Sequence, residues 1–487
     1  MKRKETFMSE NSNETAVYTG PLKLNYKRTF IIGFAFFGIL LLWQVYDSWC
    51  PTFLTELFKS AFNTENEKEV QYLVGMVMAL DNLAALIMLP IFGRLSDKTH
   101  TKIGKRMPYI LAGTFLCALV FPFIPVFVHY NSLAGTIITM AIVVFFAMMY
   151  RNPAVALMPD ITPKPLRSKA NGIINIMGYI GGAFATVVGL IFVYSNYFTE
   201  KVGKESQYHN IWIIEAPFIV ASVLMVISAL VLFFSINENK IEEEMAPQMA
   251  RGEELAAVVN KVDDDKPMTK ANKTMLFLIL GAEFLWFMAD NGIGTFMGNY
   301  TIYHLHCSSS SNMINVIVGG VGSVLGFVVG GILASKIGRK WTITSGLALT
   351  AIALTTWMII SLVTTVPVPE AGKDNAFPVY LYFIWFFKGL GMSLVHVNSF
   401  PMVVELCSSK KIGQFTGFYY ASSMAAQTIT PCLLGLLLLI PNFSFNLLPV
   451  YALVCCGTAT IIFLFVKNIK NENIEKKGIL ESLDIED

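Results

Sequence analysis

The sequence predicts an all-α membrane protein with twelve transmembrane helices, arranged as two pseudo-repeats of six. Three observations predict this class. First, the chain contains twelve apolar stretches, each long enough to span a bilayer, since a helix of roughly 20 residues crosses a hydrocarbon core about 30 Å thick. Second, 54% of the 487 residues are hydrophobic and only 14% are charged, which excludes an ordinary soluble domain. Third, backbone polar groups find no water inside lipid, so segments that span it must be helices.

Short polar segments separate the first six spans. The first span follows a basic tail, and the second ends at a segment rich in glycine and charge, residues 93–106. Only residues 130–133 separate the third span from the fourth, and the sixth ends at the charged segment beginning at Asn237. The predicted spans are 29–55, 70–92, 109–129, 134–158, 170–194 and 212–235.

Six more spans follow the longest polar insert, and glycines cluster in the fifth and eighth spans, where small residues allow close helix packing. The predicted spans are 274–302, 313–334, 342–362, 377–404, 413–439 and 446–467. The insert predicts a surface linker, with a regulatory role as the alternative. The chain therefore divides into an N-terminal tail (1–28), a first bundle (29–236), a linker (237–273), a second bundle (274–467) and a C-terminal tail (468–487).

The basic residues are sorted between the two sides of the predicted membrane. Of 36 Lys and Arg residues, 29 fall in the two tails, the linker and every second loop, which share one side. The opposite loops carry five, and two lie inside spans: Arg151 and Lys388. The positive-inside rule therefore predicts that the tails and the linker are cytoplasmic. A plasma or inner membrane is the default expectation for the location. The first span is expected to stay as a signal anchor, because the long apolar segment after residues 1–28 is unlike a cleavable signal peptide.

Motifs for other classes of protein are not found. The seven cysteines show no paired spacing, and no Walker sequence or zinc pattern occurs, so we expect no cofactor and no metal. An enzyme has no motif in its favour. The net charge of +2 gives no reason to expect nucleic acid as a partner.

The two halves repeat weakly. Segment 93–108 (GRLSDKTHTKIGKRMP) follows the second span, and segment 331–340 (GILASKIGRK) follows the eighth. Asp160 precedes Gly172 by twelve residues, and Glu405 precedes Gly417 by the same distance. Matching loops in two six-helix halves predict internal repeats with a substrate path at their interface.

The chain resembles a major facilitator superfamily transporter over essentially its whole length. The stretched segment 93–108 and the segment PAVALMPD at 153–160, followed by Arg167 and Ala170-Asn171-Gly172, are similar to the sucrose-transporter-like and glycoside–pentoside–hexuronide cation symporter branch. The resemblance implies the major facilitator fold and alternating access. It also implies a conformational latch that holds the halves together in the outward-facing state, formed by Asp97, Lys105, Arg106, Asp160, Arg167 and Glu405.

Ionisable residues at membrane depth cost about 2.5–3.5 kcal/mol on insertion scales, so each is a candidate functional group. Asp81 lies near the middle of the second span and is the predicted cation-coupling residue. The alternative is a structural ion pair between helices. Val77 and Ala85 occupy the positions one turn away, so the paired carboxylates of the melibiose-type sodium symporters are incomplete, and a proton is favoured over Na⁺.

Trp43, Gln44 and Asp47 in the first span combine an aromatic ring with hydrogen-bonding groups, which suits sugar recognition. An interfacial aromatic belt is the alternative, and Trp49 fits it better. Arg151 and Glu283 are candidate members of charge pairs. Arg151 has three alternatives: a carboxylate partner such as Asp81, a substrate contact, or snorkelling to the surface. Lys388 in the tenth span needs a neutralising partner, so we predict that it contacts Asp290 or Glu283 of the seventh span.

The functional hypothesis is symport of a sugar or glycoside with a cation, preferably a proton, by a monomer in a lipid bilayer. The predicted substrate-binding residues are Trp43, Gln44, Asp47, Asn171, Asn175, Trp286, Asp290 and Lys388. Proton-coupled export of an amphipathic compound is one alternative, since Met and Phe are abundant. A membrane sensor on the same fold is the other.

Overall fold

The structure, a computed structural model, describes residues 20, 22–193, 197, 210–260, 270–370, 373–404, 412–440 and 444–467. Within these ranges the regular secondary structure is helical, apart from an isolated bridge between Cys307 and Asn375. Glu405 and both tails beyond residues 20 and 467 lie outside the described residues.

Six membrane helices form the first half of the protein. They are α1 (Tyr26–Phe62), α2 (Gln71–Lys98), α3 (Met107–His129), α4 (Leu133–Asp160), α5 (Arg167–Ile191) and α6 (Trp212–Ser235). The side chain of Asn25 caps the start of α1 by accepting a hydrogen bond from the backbone N–H of Arg28. α3 is interrupted where Pro122 follows Phe121, because proline cannot donate a backbone hydrogen bond.

Six membrane helices form the second half. They are α7 (Lys270–Asn299, continued by a π-helical turn, Tyr300–His304), α8 (Ser309–Ile337), α9 (Arg339–Val363), α10 (Val379–Val404), α11 (Ile412–Leu437) and α12 (Leu447–Phe465). Gly338 joins α8 to α9 with a φ of 86°, a conformation that residues with a Cβ rarely adopt.

Eleven of these helices are long and apolar enough to cross a membrane by composition. α11 is the exception, because polar residues such as Ser422 and Gln427 dilute its apolar sequence, but it packs against α2 as the twelfth membrane helix. The fold is the all-helical twelve-span architecture predicted. Several helices run past the predicted spans, since backbone hydrogen bonding continues beyond the hydrocarbon layer.

Each half has its own hydrophobic core. One core joins residues from Ile32 to Ile236, and the other joins residues from Leu276 to Val466. Glycines bring helices together within each half: a Cβ on Gly178 would lie 2.7 Å from the Leu40 side chain, and one on Gly326 would lie 2.8 Å from Ser393. The glycine clusters of α5 and α8 are therefore packing surfaces.

The linker contains a helix, Glu238–Asn260, which we call the linker helix. The buried carboxylate of Glu238 accepts hydrogen bonds of 3.0–3.1 Å from the backbone N–H groups of Lys105, Arg106 and Met107, at the start of α3. Asn239 donates to the carbonyl of Thr101. The segment predicted as a surface linker is thus docked on the first half by its first turn.

The residues of the implied latch lie together beside the linker helix. Arg106 pairs with Asp97 and, at 2.8 Å, with Asp160. Lys105 lies 3.0 Å from Glu242 of the linker helix. Burial alone would lower the pKa of Lys105, but the carboxylates of Glu242 and Asp160 raise it above its ordinary value, so Lys105 stays charged.

Arg167, another residue of the implied latch, does not bridge to Asp160. It donates instead to the backbone carbonyls of Thr162 and Pro159, 3.0 and 2.7 Å away, and so holds the end of α4. Asp160 already forms ion pairs with Arg106 and Lys105. In this state these contacts join elements of the first half and the linker helix rather than the two halves.

Candidate functional site

A cavity of about 590 Å³ lies between the two halves, at mid-membrane depth. Side chains from α1, α2, α4, α7, α8, α10 and α11 line it. The charged residues in its wall are Asp47, Asp81, Arg151, Asp290 and Lys388. Its volume falls within the roughly 300–1,000 Å³ typical of small-molecule sites.

The first half contributes two carboxyl groups with different surroundings. The hydroxyl of Tyr46, which is buried, lies within hydrogen-bonding range of Asp81. Asp47 lies within electrostatic range of Arg151, whose guanidinium stands 5.8 Å from the centre of the Trp43 ring. Arg151 therefore lines the cavity rather than snorkelling to the surface, and its carboxylate neighbour is Asp47, not Asp81.

The second half contributes an ion pair between Lys388 of α10 and Asp290 of α7. A contact of Lys388 with a carboxylate of the seventh span was predicted, and the structure assigns it to Asp290. His396, two turns along α10, lies within electrostatic range of both partners. The pair fixes the facing positions of α7 and α10 at the cavity wall.

Three polar atoms in the cavity wall are buried and have no hydrogen-bond partner within the described chain. They are the indole nitrogen of Trp43 and the side-chain oxygens of Asn291 and Asn312. Buried polar groups are almost always hydrogen-bonded, so unpartnered ones at a cavity wall mark positions where a ligand or water completes the bonding. The residues of the cavity wall therefore include one donor and two acceptors without a partner in the described chain.

Five of the eight predicted substrate residues line the cavity: Trp43, Gln44, Asp47, Asp290 and Lys388. Trp286 does not, because its ring is fully buried in the second core against Phe463 of α12, 6.3 Å away between centroids. Asn171 and Asn175 lie on α5 outside the cavity wall, and Asn171 is exposed near the beginning of that helix. Glu283 is buried away from the cavity.

Sequence reasoning missed several residues of the cavity wall. They include Asn82, Asn291, Asn312, Trp385 and Gln427. An available signal was the occurrence of amide side chains inside apolar spans, where each needs a polar neighbour.

The cavity is closed on the face that carries residues 63–70 and 300–308, which we call the distal face. Asn299 of α7 accepts a hydrogen bond from Thr52 and donates to Thr55 and Gln71, each at 3.0 Å, and all four residues are buried. Further out, Tyr303 donates to Glu56 at 2.6 Å. These bonds join α7 of the second half to α1 and α2 of the first.

The opposite face carries the linker helix. Near the ends of α5, α8 and α11 on this side, Gly172, Gly331 and Gly417 adjoin open space, with nothing within 4 Å of an added Cβ. On the distal side the halves touch closely, since a Cβ on Gly435 of α11 would lie 2.7 Å from the carbonyl oxygen of Gln71. The structure is therefore a state in which the distal face is sealed.

Two six-helix halves around one central cavity, sealed on one face, define the class of alternating-access membrane transporters. The sequence-family model of the Major Facilitator Superfamily matches residues 32–368 and 279–482 of this chain. The chain belongs to this superfamily and is an integral, multi-pass membrane transporter.

Known proteins support the same fold. The chain is 26% identical over 204 residues to a lactose permease from Leuconostoc lactis, a match that covers 40% of this chain and 32% of the relative. The xylose transporter XylE from E. coli, inward open, superposes with a TM-score of 0.62 at 14% identity, over 91% of this chain and 97% of that one. A peptide transporter in complex with alafosfalin gives a TM-score of 0.60 at 13% identity, over 90% and 93%.

Proposed function

We propose that this protein is a secondary transporter that carries a sugar or glycoside across the membrane together with a proton. The observation that carries the sugar assignment is the set of unpartnered polar atoms on Trp43, Asn291 and Asn312 in the cavity wall. Sugar hydroxyls donate and accept hydrogen bonds, and the apolar faces of a pyranose stack on aromatic rings. Trp43 and Trp385 supply such rings, and the related lactose permease agrees with this substrate class.

Asp81 is the proposed coupling residue. It is buried at the cavity wall beside a second carboxyl, Asp47, and two such groups cannot easily be charged together. Arg151 compensates Asp47, whereas Asp81 has the neutral hydroxyl of Tyr46 within hydrogen-bonding range. Asp81 is therefore the carboxyl group better placed to accept a proton at the cavity and to release it when solvent reaches it.

The charge distribution gives the proposed orientation. With both tails and the linker helix in the cytoplasm of a plasma or inner membrane, the sealed distal face is the outer one and the state is inward-facing. Breaking the Asn299 seal on the distal face and closing the linker face would give the outward-facing state, in which the latch residues would meet the second half. The unit of transport in this proposal is a monomer.

The test is sugar-induced proton movement. Energy-depleted cells expressing the protein are suspended in weak buffer, and lactose, melibiose, maltose and sucrose are added in turn while the external pH is followed. We expect one of them to cause transient alkalinisation. Asp81→Asn should abolish it and lower accumulation at least tenfold while retaining sugar counterflow, because Asn keeps the shape and hydrogen bonding of a carboxyl group without a titrating proton.

The matched control is Glu215→Gln, which removes a carboxyl group from the distal end of α6, outside the cavity wall. It should leave alkalinisation unchanged. Sodium-dependent uptake without alkalinisation would replace the proton by Na⁺. Absence of uptake for every sugar, with the protein shown to be in the membrane, would overturn the substrate assignment.

A further inference from the structure

Glu283 is a fully buried carboxyl group that the transport scheme above does not use. It lies on α7 two helical turns towards the linker face from Asp290, and its exposed fraction is 0%. Neither of its oxygens has a hydrogen-bond partner within the described chain. An ionised carboxylate without partner or water is strongly disfavoured in an apolar interior, so Glu283 is held here as the neutral acid.

The groups around Glu283 offer no compensating cation. Within the described residues, the titratable side chains within electrostatic range of Glu283 are Tyr419 and Tyr420 of α11. On the other helices packed against α7, His396 of α10 and Cys456 of α12 act on Asp290 and Lys388 instead. Glu283 is thus not half of an ion pair in this state.

His396 of α10 lies within electrostatic range of Asp290 at the cavity, and Tyr419 of α11 lies within electrostatic range of Glu283. His396 follows the Lys388–Asp290 pair along α10, and its ring lies 5.3 Å from that of Phe287. One turn further, the hydroxyl of Ser399 lies 2.8 Å from that of Tyr419, the residue on which Glu283 acts. Hydroxyl and imidazole groups both donate and accept protons, so these side chains are suited to relay one.

We propose that Glu283 is a second proton-binding site, which carries one proton per transport cycle in addition to the proton on Asp81. The inference rests on the proposed proton symport. Loading forms one O–H bond on the Glu283 carboxylate from one proton, and release breaks that bond and returns the proton to solvent. Asp290, bridged to Lys388, stays charged at the cavity.

The experiment measures the number of protons moved per sugar. The full-length protein is reconstituted in liposomes containing a trapped pH-sensitive dye, and lactose, or the sugar that gives the largest signal in the panel above, is the probe. Radiolabelled sugar and dye fluorescence are recorded together. We expect Glu283→Gln to halve the proton-to-sugar ratio, from about two to about one, and to leave sugar counterflow unchanged.

Glu215→Gln is the matched control and should keep the wild-type ratio. Glu283→Met, which suits apolar surroundings, is a second variant that should give the same halved ratio if the Gln protein is poorly inserted. A wild-type ratio in both Glu283 variants would overturn the inference and leave the proposed symport intact. A wild-type protein that moves sugar without protons would instead refute the proposed coupling.

Discussion

The charged side chains around the cavity differ in the group that compensates their charge. Lys388 is bridged to Asp290, Arg151 faces Asp47 at longer range, and Asp81 has only the hydroxyl of Tyr46. Because a charge at membrane depth costs a few kcal/mol, each arrangement has a different consequence. A bridged pair fixes two helices in register, whereas a carboxyl group with a neutral donor is free to change its protonation state.

The Lys388–Asp290 pair gives a prediction about stability. Lys388→Ala should destabilise the detergent-solubilised protein, because it leaves Asp290 uncompensated. Removing one partner of a buried pair costs roughly 3–5 kcal/mol, and we expect less here because the Asp290 side chain is 35% exposed. Adding Asp290→Ala should restore most of the lost melting temperature, although neither variant should transport. A double variant no more stable than Lys388→Ala would contradict the interpretation that the uncompensated Asp290 causes the loss of stability.

At the residue scale, helical spacing and the cost of an unpaired charge predicted some of the cavity residues and ion pairs, but not all of them. Gln44 and Asp47, three residues apart, share the cavity face. The need to neutralise Lys388 predicted Asp290 or Glu283 as its partner, and the structure shows Asp290. Trp286 was misplaced because the sequence does not give the rotation of α7 against α12. For Arg151 a carboxylate such as Asp81 was suggested, whereas the structure has Asp47 within electrostatic range, because the sequence does not give the packing of α4 against α1 and α2.

At the scale of elements, the first turn of the linker helix is attached to the first half chiefly through one buried side chain, Glu238. Glu238 provides three hydrogen bonds to the start of α3, where backbone N–H groups lack partners in the helix and the dipole favours an anion. Linker docking and the geometry of the loop before α3 therefore depend on each other.

Glu238→Ala should test this dependence. Loss of the buried carboxylate leaves N–H groups of residues 105–107 without acceptors, at a cost of about 1–3 kcal/mol. We expect a lower melting temperature and faster amide hydrogen exchange at residues 104–110. Glu242→Ala is the matched control on the same helix: it removes an ion pair with Lys105 in which Glu242 is 47% exposed, and such pairs contribute little. Equal effects of the two substitutions would refute the capping role.

The helices were predictable from the lipid requirement for apolar length, but their ends and the linker helix were not. Membrane helices continue into the interface, as α1 does to Phe62, because their hydrogen bonding does not stop where the hydrocarbon ends. The linker helix is mostly polar and carries Pro247, so its sequence contains no apolar stretch to mark it. Its first turn is held by contacts with a loop more than a hundred residues away.

At the scale of the whole molecule, the two halves touch through a polar seal and a close helix crossing on the distal face. The Asn299 network is buried, so opening this face must replace its hydrogen bonds with bonds to water. At the crossing of α2 and α11, Gly75 and Gly435 let one backbone approach the other. Alternating access requires that these contacts form and break in each cycle.

Gly435→Val should shift the balance between the two states. In the distally sealed state the added Cβ would lie 2.7 Å from the Gln71 carbonyl oxygen, and overpacking of this kind costs roughly 1–3 kcal/mol. Each 1.4 kcal/mol is a factor of ten, so the sealed state should lose about 5- to 150-fold in population. Transport should fall accordingly, and amide hydrogen exchange should quicken at residues 52–58 and 296–302. Gly457→Val on α12, where nothing lies within 4 Å of an added Cβ, should change neither. Unaltered exchange in the Gly435 variant would mean that this crossing does not control distal opening.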